Sequence, residues 1–123
     1  MSHPDQASAW RGELARLAAE VAALVTALLR RRRMIRASLI ERHLGTSRRK
    51  RAAAAFYLSW AEGGRTRLVY VPRAQVRAVR AQVAAWREHR RGVRRLRQVA
   101  GQLAAVAEQL GQAQAERPGE KRR

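Results

Sequence analysis

Apolar residues recur along the first quarter of the chain at Trp10, Leu14, Leu17, Val21, Leu24 and Leu28, spaced 4, 3, 4, 3 and 4 apart. That rhythm draws one apolar stripe along an α-helix for nearly three heptads. Alanines at 15, 18, 19, 22, 23 and 27 flank it with strong helix formers that add no bulk. Ser8 is the expected N-cap, with Asp5 as the alternative. Residues 1–7 are expected to lack order, and a helix is predicted from about 9 to at least 30. Met34, Ile35, Leu39 and Ile40 extend the helical reading to about 42, giving one arm over 8–42.

The period changes to two between Phe56 and Pro72. Phe-Tyr-Leu-Ser-Trp and Arg-Thr-Arg-Leu-Val-Tyr-Val flank a reversal that ends in Gly63-Gly64, the sequence form of a β-hairpin. Alternation puts Phe56, Leu58 and Trp60 on one face of the first arm. In the second arm, Arg65, Arg67, Val69 and Val71 share a face opposite to Leu68 and Tyr70. If Leu68 and Tyr70 pack on the helices, Arg65 and Arg67 face outward, and Tyr57 joins them there.

Pro72 stops the strand, and a second long helix is predicted over 73–111. Val76, Val79, Val83 and Trp86 open its stripe. Arg90 interrupts it, and Val93, Leu96, Ala100, Leu103, Val106 and Leu110 resume it. Gly92, following Arg90 and Arg91, marks an expected bend. Residues 112–123 are polar, contain Pro118 and Gly119, and are expected to be disordered. The fold class is therefore mainly α with a small β-hairpin: two long helices form an antiparallel, coiled-coil-like hairpin with a two-stranded β tip, in a single domain. A homodimer through the arms is the alternative use of the first stripe.

Composition narrows the class. Of 123 residues, 25 are alanine, so large apolar side chains are few and the core is thin. No cysteine is present, which removes disulfides and thiolate-metal sites. No run reaches the roughly 18 apolar residues of a membrane span, and the N-terminus lacks the basic start of a secretory signal. The expected location is cytoplasmic, with no membrane partner.

Charge changes the picture most. The chain carries 27 basic and 9 acidic residues, a net of +18. Residues 1–29 sum to −1 and 98–123 to +1, so 30–97 carries all of the excess, with 21 basic residues against three acids. Such a local excess repels itself and invites a polyanion, because each phosphate neutralised releases a counterion. Only two of the 27 are lysine, which fits equally well the codon bias of a GC-rich genome that yields a soluble, arginine-rich surface.

The chain offers no catalytic constellation, and no cofactor or metal is expected. His3, His43 and His89 have no ligand spacing. Glu41, Glu62 and Glu88 are the acids of the basic region and suit local ion pairs. Gly63-Gly64 is a turn and not a phosphate-binding fingerprint, since no helix starts after it. The candidate nucleic-acid contacts are Arg32, Arg33 and Arg36 after the first helix, Arg48, Arg49, Lys50 and Arg51 in a basic loop over 43–55, Tyr57, Arg65 and Arg67 in the hairpin, and Arg73 and Arg77 beyond it.

Tyr57-Leu58-Ser59-Trp60, Gly63-Gly64-Arg65-Thr66 and Val69-Tyr70-Val71-Pro72, with Ile35-Arg36-Ala37-Ser38-Leu39 upstream, resemble a family of small uncharacterised bacterial proteins often encoded near transposases and mobile elements. The resemblance covers about residues 34–95 and implies a role in DNA transactions. That family usually carries a cysteine-containing, metal-knuckle-like segment before the hairpin, and His43–Ala55 here has no cysteine. The expectation is a non-enzymatic, nucleic-acid-binding accessory protein, DNA ahead of RNA. The alternative is a coiled-coil structural or protein-interaction module whose charge serves solubility or an acidic protein partner.

Overall fold

The computed structural model describes residues 4–43, 54–116 and 118–119. Helix α1 spans Pro4–Leu28, strands β1, β2 and β3 span Ser38–His43, Ala54–Glu62 and Arg65–Val71, and helix α2 spans Val76–Gln114. The strands form one antiparallel sheet in the order β1-β2-β3. The chain divides into two compact units, residues 1–30 with 91–123 and residues 31–90, and α2 contributes to both.

The two-stranded tip on a two-helix hairpin is thus corrected to two helices and a three-stranded sheet, because residues 38–43, expected as helix, form β1. The apolar stripe ends at Leu28, and Arg30–Arg33 offer no apolar side to bury. A helix without a buried face loses most of its stabilisation. The outer edge of β2 meanwhile presents a row of unpaired backbone N–H and C=O groups. Pairing Ser38 through His43 with Ser59 through Ala54 satisfies them and overrides weak local propensity. The segment 29–37 between α1 and β1 has no regular structure and is tied to α2 where the Ile35 N–H donates to the Gln82 carbonyl at 3.1 Å.

In the first unit, α1 begins at Pro4, earlier than the Ser8 cap predicts. Proline suits the first helical turn, where its missing N–H would be unpaired anyway, and Asp5 favours the positive end of the helix dipole. Ala7, within the stretch expected to lack order, is buried. Arg11 donates to Gln114, Arg95 Nε donates to Glu20 at 2.9 Å, and Gly92 lies against Leu28. These pairs run in opposite senses along the chain, so the helices pack antiparallel. Leu17 (1% exposed) and Val99 (0%) are the most buried side chains. Val99 takes the seam position assigned above to Ala100, which is exposed. The stripe Val93, Leu96, Val99, Leu103, Val106, Leu110 keeps a helical period that an alanine at 100 disguised. No break occurs at Gly92: α2 runs unbroken, and a Cβ there would meet Leu28 Cδ2 at 3.0 Å, so this glycine serves close helix approach. The helix also continues to Gln114, into the tail expected to be disordered.

In the second unit, Gly63 (φ 57°) and Gly64 (φ 77°) form a two-residue turn between the paired residues Glu62 and Arg65. Positive φ at both positions is what a type I′ hairpin turn requires and what L side chains resist. The Pro72 carbonyl accepts from the Gln75 N–H at 2.8 Å in a 3₁₀ turn, Arg73–Gln75, that leads into α2. Val71, Val76, Val83 and Ala85 are buried.

Candidate nucleic-acid interface

Cross-strand pairing decides which side chains share a face, because directly paired residues point the same way. Phe56 pairs with Glu41 and Val71, Leu58 with Leu39 and Val69, and Trp60 with Arg67. Tyr57 pairs with Ile40 and Tyr70, Ser59 with Ser38 and Leu68, and Ala61 with Thr66. The sheet therefore has a Phe56 face, carrying Arg65 and Arg67, and a Tyr57 face, carrying Arg42, Leu68 and Tyr70.

Helix α2 meets the Phe56 face, where the Arg80 guanidinium stands 5.6 Å from the Phe56 ring centre. This corrects two expectations. Leu68 and Tyr70 do not pack inward: they are 41% and 56% exposed. Tyr57 does not share a face with Arg65 and Arg67. The alternation within each arm is a local property of its sequence, but how the two arms register against each other, and which face the helix meets, depends on tertiary packing.

Arg65 and Arg67 are exposed on edge strand β3. Arg67 lies 3.7 Å from Glu62, which also accepts from Trp60 Nε1 at 3.3 Å. Arg32 forms an ion pair with Glu88 at 2.7 Å. Arg33 is exposed in the segment before β1, and Arg73 and Arg77 are exposed at the start of the second helical segment. Arg36 stands 5.8 Å from the Trp86 ring centre, as does Arg90. A guanidinium over a ring keeps its in-plane N–H donors available for phosphate, so these contacts orient arginines without consuming them. Arg48, Arg49, Lys50 and Arg51, with most of the 43–55 loop, lie outside the described residues.

Sequence reasoning did not single out Arg42 and Tyr70 as candidates. Arg42 sits 5.6 Å from the Tyr57 ring centre, and the Tyr57 and Tyr70 rings meet edge to face, 5.7 Å apart at 69°. Arg42 was hidden by the helical reading of 34–42. Tyr70 was hidden by the assumption that it packed inward. A cleft of about 570 Å³ opens where β1 begins, lined among others by Arg36, Ser38, Trp60, Glu62, Trp86 and Arg87. It offers two indole surfaces and two guanidinium groups beside one carboxylate.

Residues 31–90 hold 16 basic residues and three acids, a net of +13. Each of the three carboxylates already lies near a cationic or titratable partner: Glu88 by Arg32, Glu62 by Arg67, and Glu41 4.0 Å from His43. Among the described residues, no group of three or more His, Asp or Glu comes together that could hold a metal ion, and no helix is long and apolar enough to cross a membrane. Comparison of the chain with protein-family models, curated proteins and solved structures returned no significant match.

Proposed function

We propose that this chain is a non-catalytic, nucleic-acid-binding accessory protein, DNA ahead of RNA, that holds phosphates through arginines of residues 31–90. The observation that carries the reading is the unbalanced charge of that unit. Three carboxylates cannot neutralise sixteen cations, and the arginines around the hairpin, Arg33, Arg36, Arg65, Arg67, Arg73 and Arg77, lie exposed. A phosphate backbone supplies regularly spaced negative charge, and displaced counterions add affinity. Association with mobile elements and a cytoplasmic location are part of the proposal; the hairpin resemblance described above supports the first.

The test is affinity for duplex DNA, single-stranded DNA and RNA of equal length across a salt series. A log–log slope of several units is expected for at least one of them. Replacing Arg65 and Arg67 together by alanine should weaken binding and lower the slope by about one to two units. An unchanged slope would remove Arg65 and Arg67 from the binding surface, and no binding at low ionic strength would end the proposal.

A second reading, a protein-interaction module built on the helical pair, rests on Val25 (39% exposed) and Leu29 (75% exposed) at the end of α1. Sedimentation with and without a duplex separates the two.

A further inference from the structure

We propose that the Tyr57 face of the sheet is a stacking platform for unpaired bases, with Tyr70 as the ring that takes the base, and that the preferred ligand is single-stranded nucleic acid. The inference rests on the polyanion reading above and adds to it the form of the strand.

Three observations converge. Tyr70 is 56% exposed and Leu68 41% exposed on one sheet face, where large apolar groups gain by being covered. The Tyr57 ring is half-buried, carries Arg42 on it and meets Tyr70 edge to face. Tyr57 is therefore already engaged, and it braces Tyr70, whose ring remains open to a flat partner. Thr66 and Ser38 add exposed hydroxyls to the same face.

Charge selects the occupant. Arg42, exposed on this face, and the net of +13 over residues 31–90 disfavour a basic or neutral protein surface. A ligand is needed that presents flat apolar rings and negative charge at alternating intervals. Unpaired nucleotides do so, because every base has a π-face and every linkage a phosphate. In a duplex the base faces are stacked on each other, so the platform has nothing to take from it.

The experiment uses the full chain with three ligands of equal length: single-stranded DNA, single-stranded RNA and duplex DNA. Wild type, Tyr70→Ala and Tyr70→Phe are compared, with circular dichroism as the folding control. Expected are tighter binding of one single-stranded form than of the duplex, and a roughly ten-fold loss of that binding in Tyr70→Ala. Tyr70→Phe, which keeps the ring, should bind like wild type. The salt slope should be the same in all three, since no charge is removed. A halogenated-pyrimidine oligonucleotide should photo-cross-link to the β3 peptide that contains Tyr70, a readout independent of any variant's stability.

Duplex binding equal to single-strand binding, with Tyr70→Ala indifferent and the cross-link elsewhere, overturns the platform and leaves the phosphate reading standing. Binding of none of the three at low salt overturns both. A self-associated species that Tyr70→Ala dissociates overturns the platform in favour of a second copy of this chain on the same face.

Discussion

Gly64 illustrates how much one position decides. Its φ of 77°, next to Gly63 at 57°, lets the chain reverse in two residues and sets Glu62 opposite Arg65. Alanine fits that backbone poorly whatever space surrounds it. Gly64→Ala should cost about 1–2 kcal/mol in denaturant unfolding, and an unchanged midpoint would count against the turn as described. Leu17, in the helical pair, carries a different kind of weight. Its side chain is 1% exposed, and Leu17→Ala should cost about 2–4 kcal/mol through lost burial and the cavity left behind. Charge at single residues matters less. Arg16 Nε donates to Glu13 at 3.1 Å, which holds the Glu13 carboxyl below its ordinary range and the Arg16 guanidinium above its own. A lowered carboxylate contributes stability above its ordinary titration range and loses it as pH falls through the lowered value. Glu13→Gln should therefore slightly lower Tm at neutral pH and leave it unchanged in acid, once the lowered carboxyl is itself protonated. The Arg16 side chain is 60% exposed and that of Glu13 39%, so solvent screens the pair and the effect is small; a difference that grew with acidity would contradict the pair.

At the scale of elements, glycines in α2 separate two roles. Gly101 and Gly111 face open space, whereas a Cβ at Gly92 would press on Leu28. Gly101→Ala should stabilise the chain by about 0.5–1 kcal/mol, because alanine has less backbone freedom to lose. Gly92→Ala should gain less or turn destabilising, since the Leu28 side chain must move aside. Equal gains at both would argue against close packing of Leu28 on α2. The elements also differ in how far their sequences announced them. The hairpin was legible because its signal is local: alternating β-formers and a Gly-Gly reversal within one short stretch. The first stripe was legible because all its large members recur at helical spacing. β1 was not legible. Ser-Leu-Ile-Glu-Arg-His alternates poorly, and its strand state depends on β2, whose paired residues lie 11 (His43 with Ala54) to 21 (Ser38 with Ser59) positions away.

For the whole molecule, the consequence is electrostatic. The unit of residues 31–90 holds +13 of the +18 net charge. Affinity for nucleic acid should therefore fall steeply with salt, and substitutions in that unit should alter the slope more than substitutions in the helical pair. Arg65 and Arg67 changed together should lower it by one to two units. Arg11 and Arg16, changed together as a control, should leave it within experimental error, since both already face polar or acidic neighbours on α1 and α2. Equal effects from both pairs would mean that net charge alone, and no localised surface, drives binding. Of the candidate site, the arginines were legible as a run of charge along the sequence. The tyrosine pair was not, because a ring on one arm reveals nothing of its cross-strand neighbour until the register is known.

The amino-acid sequence by itself determined three things: the stripe that makes α1 amphipathic, the place of the hairpin turn, and the concentration of positive charge in the middle of the chain. Each follows from residues close together or from simple addition of charge. Only the tertiary structure decided that 38–43 pairs with β2, that Val99 and not Ala100 fills the helical seam, and that Tyr57 joins Tyr70 on the face opposite Arg65 and Arg67. The physical reason is common to all three. Which backbone edge is open, which side chain reaches a partner and which sheet face a helix covers are settled between distant segments, where a small difference in burial or pairing outweighs what any local pattern prefers.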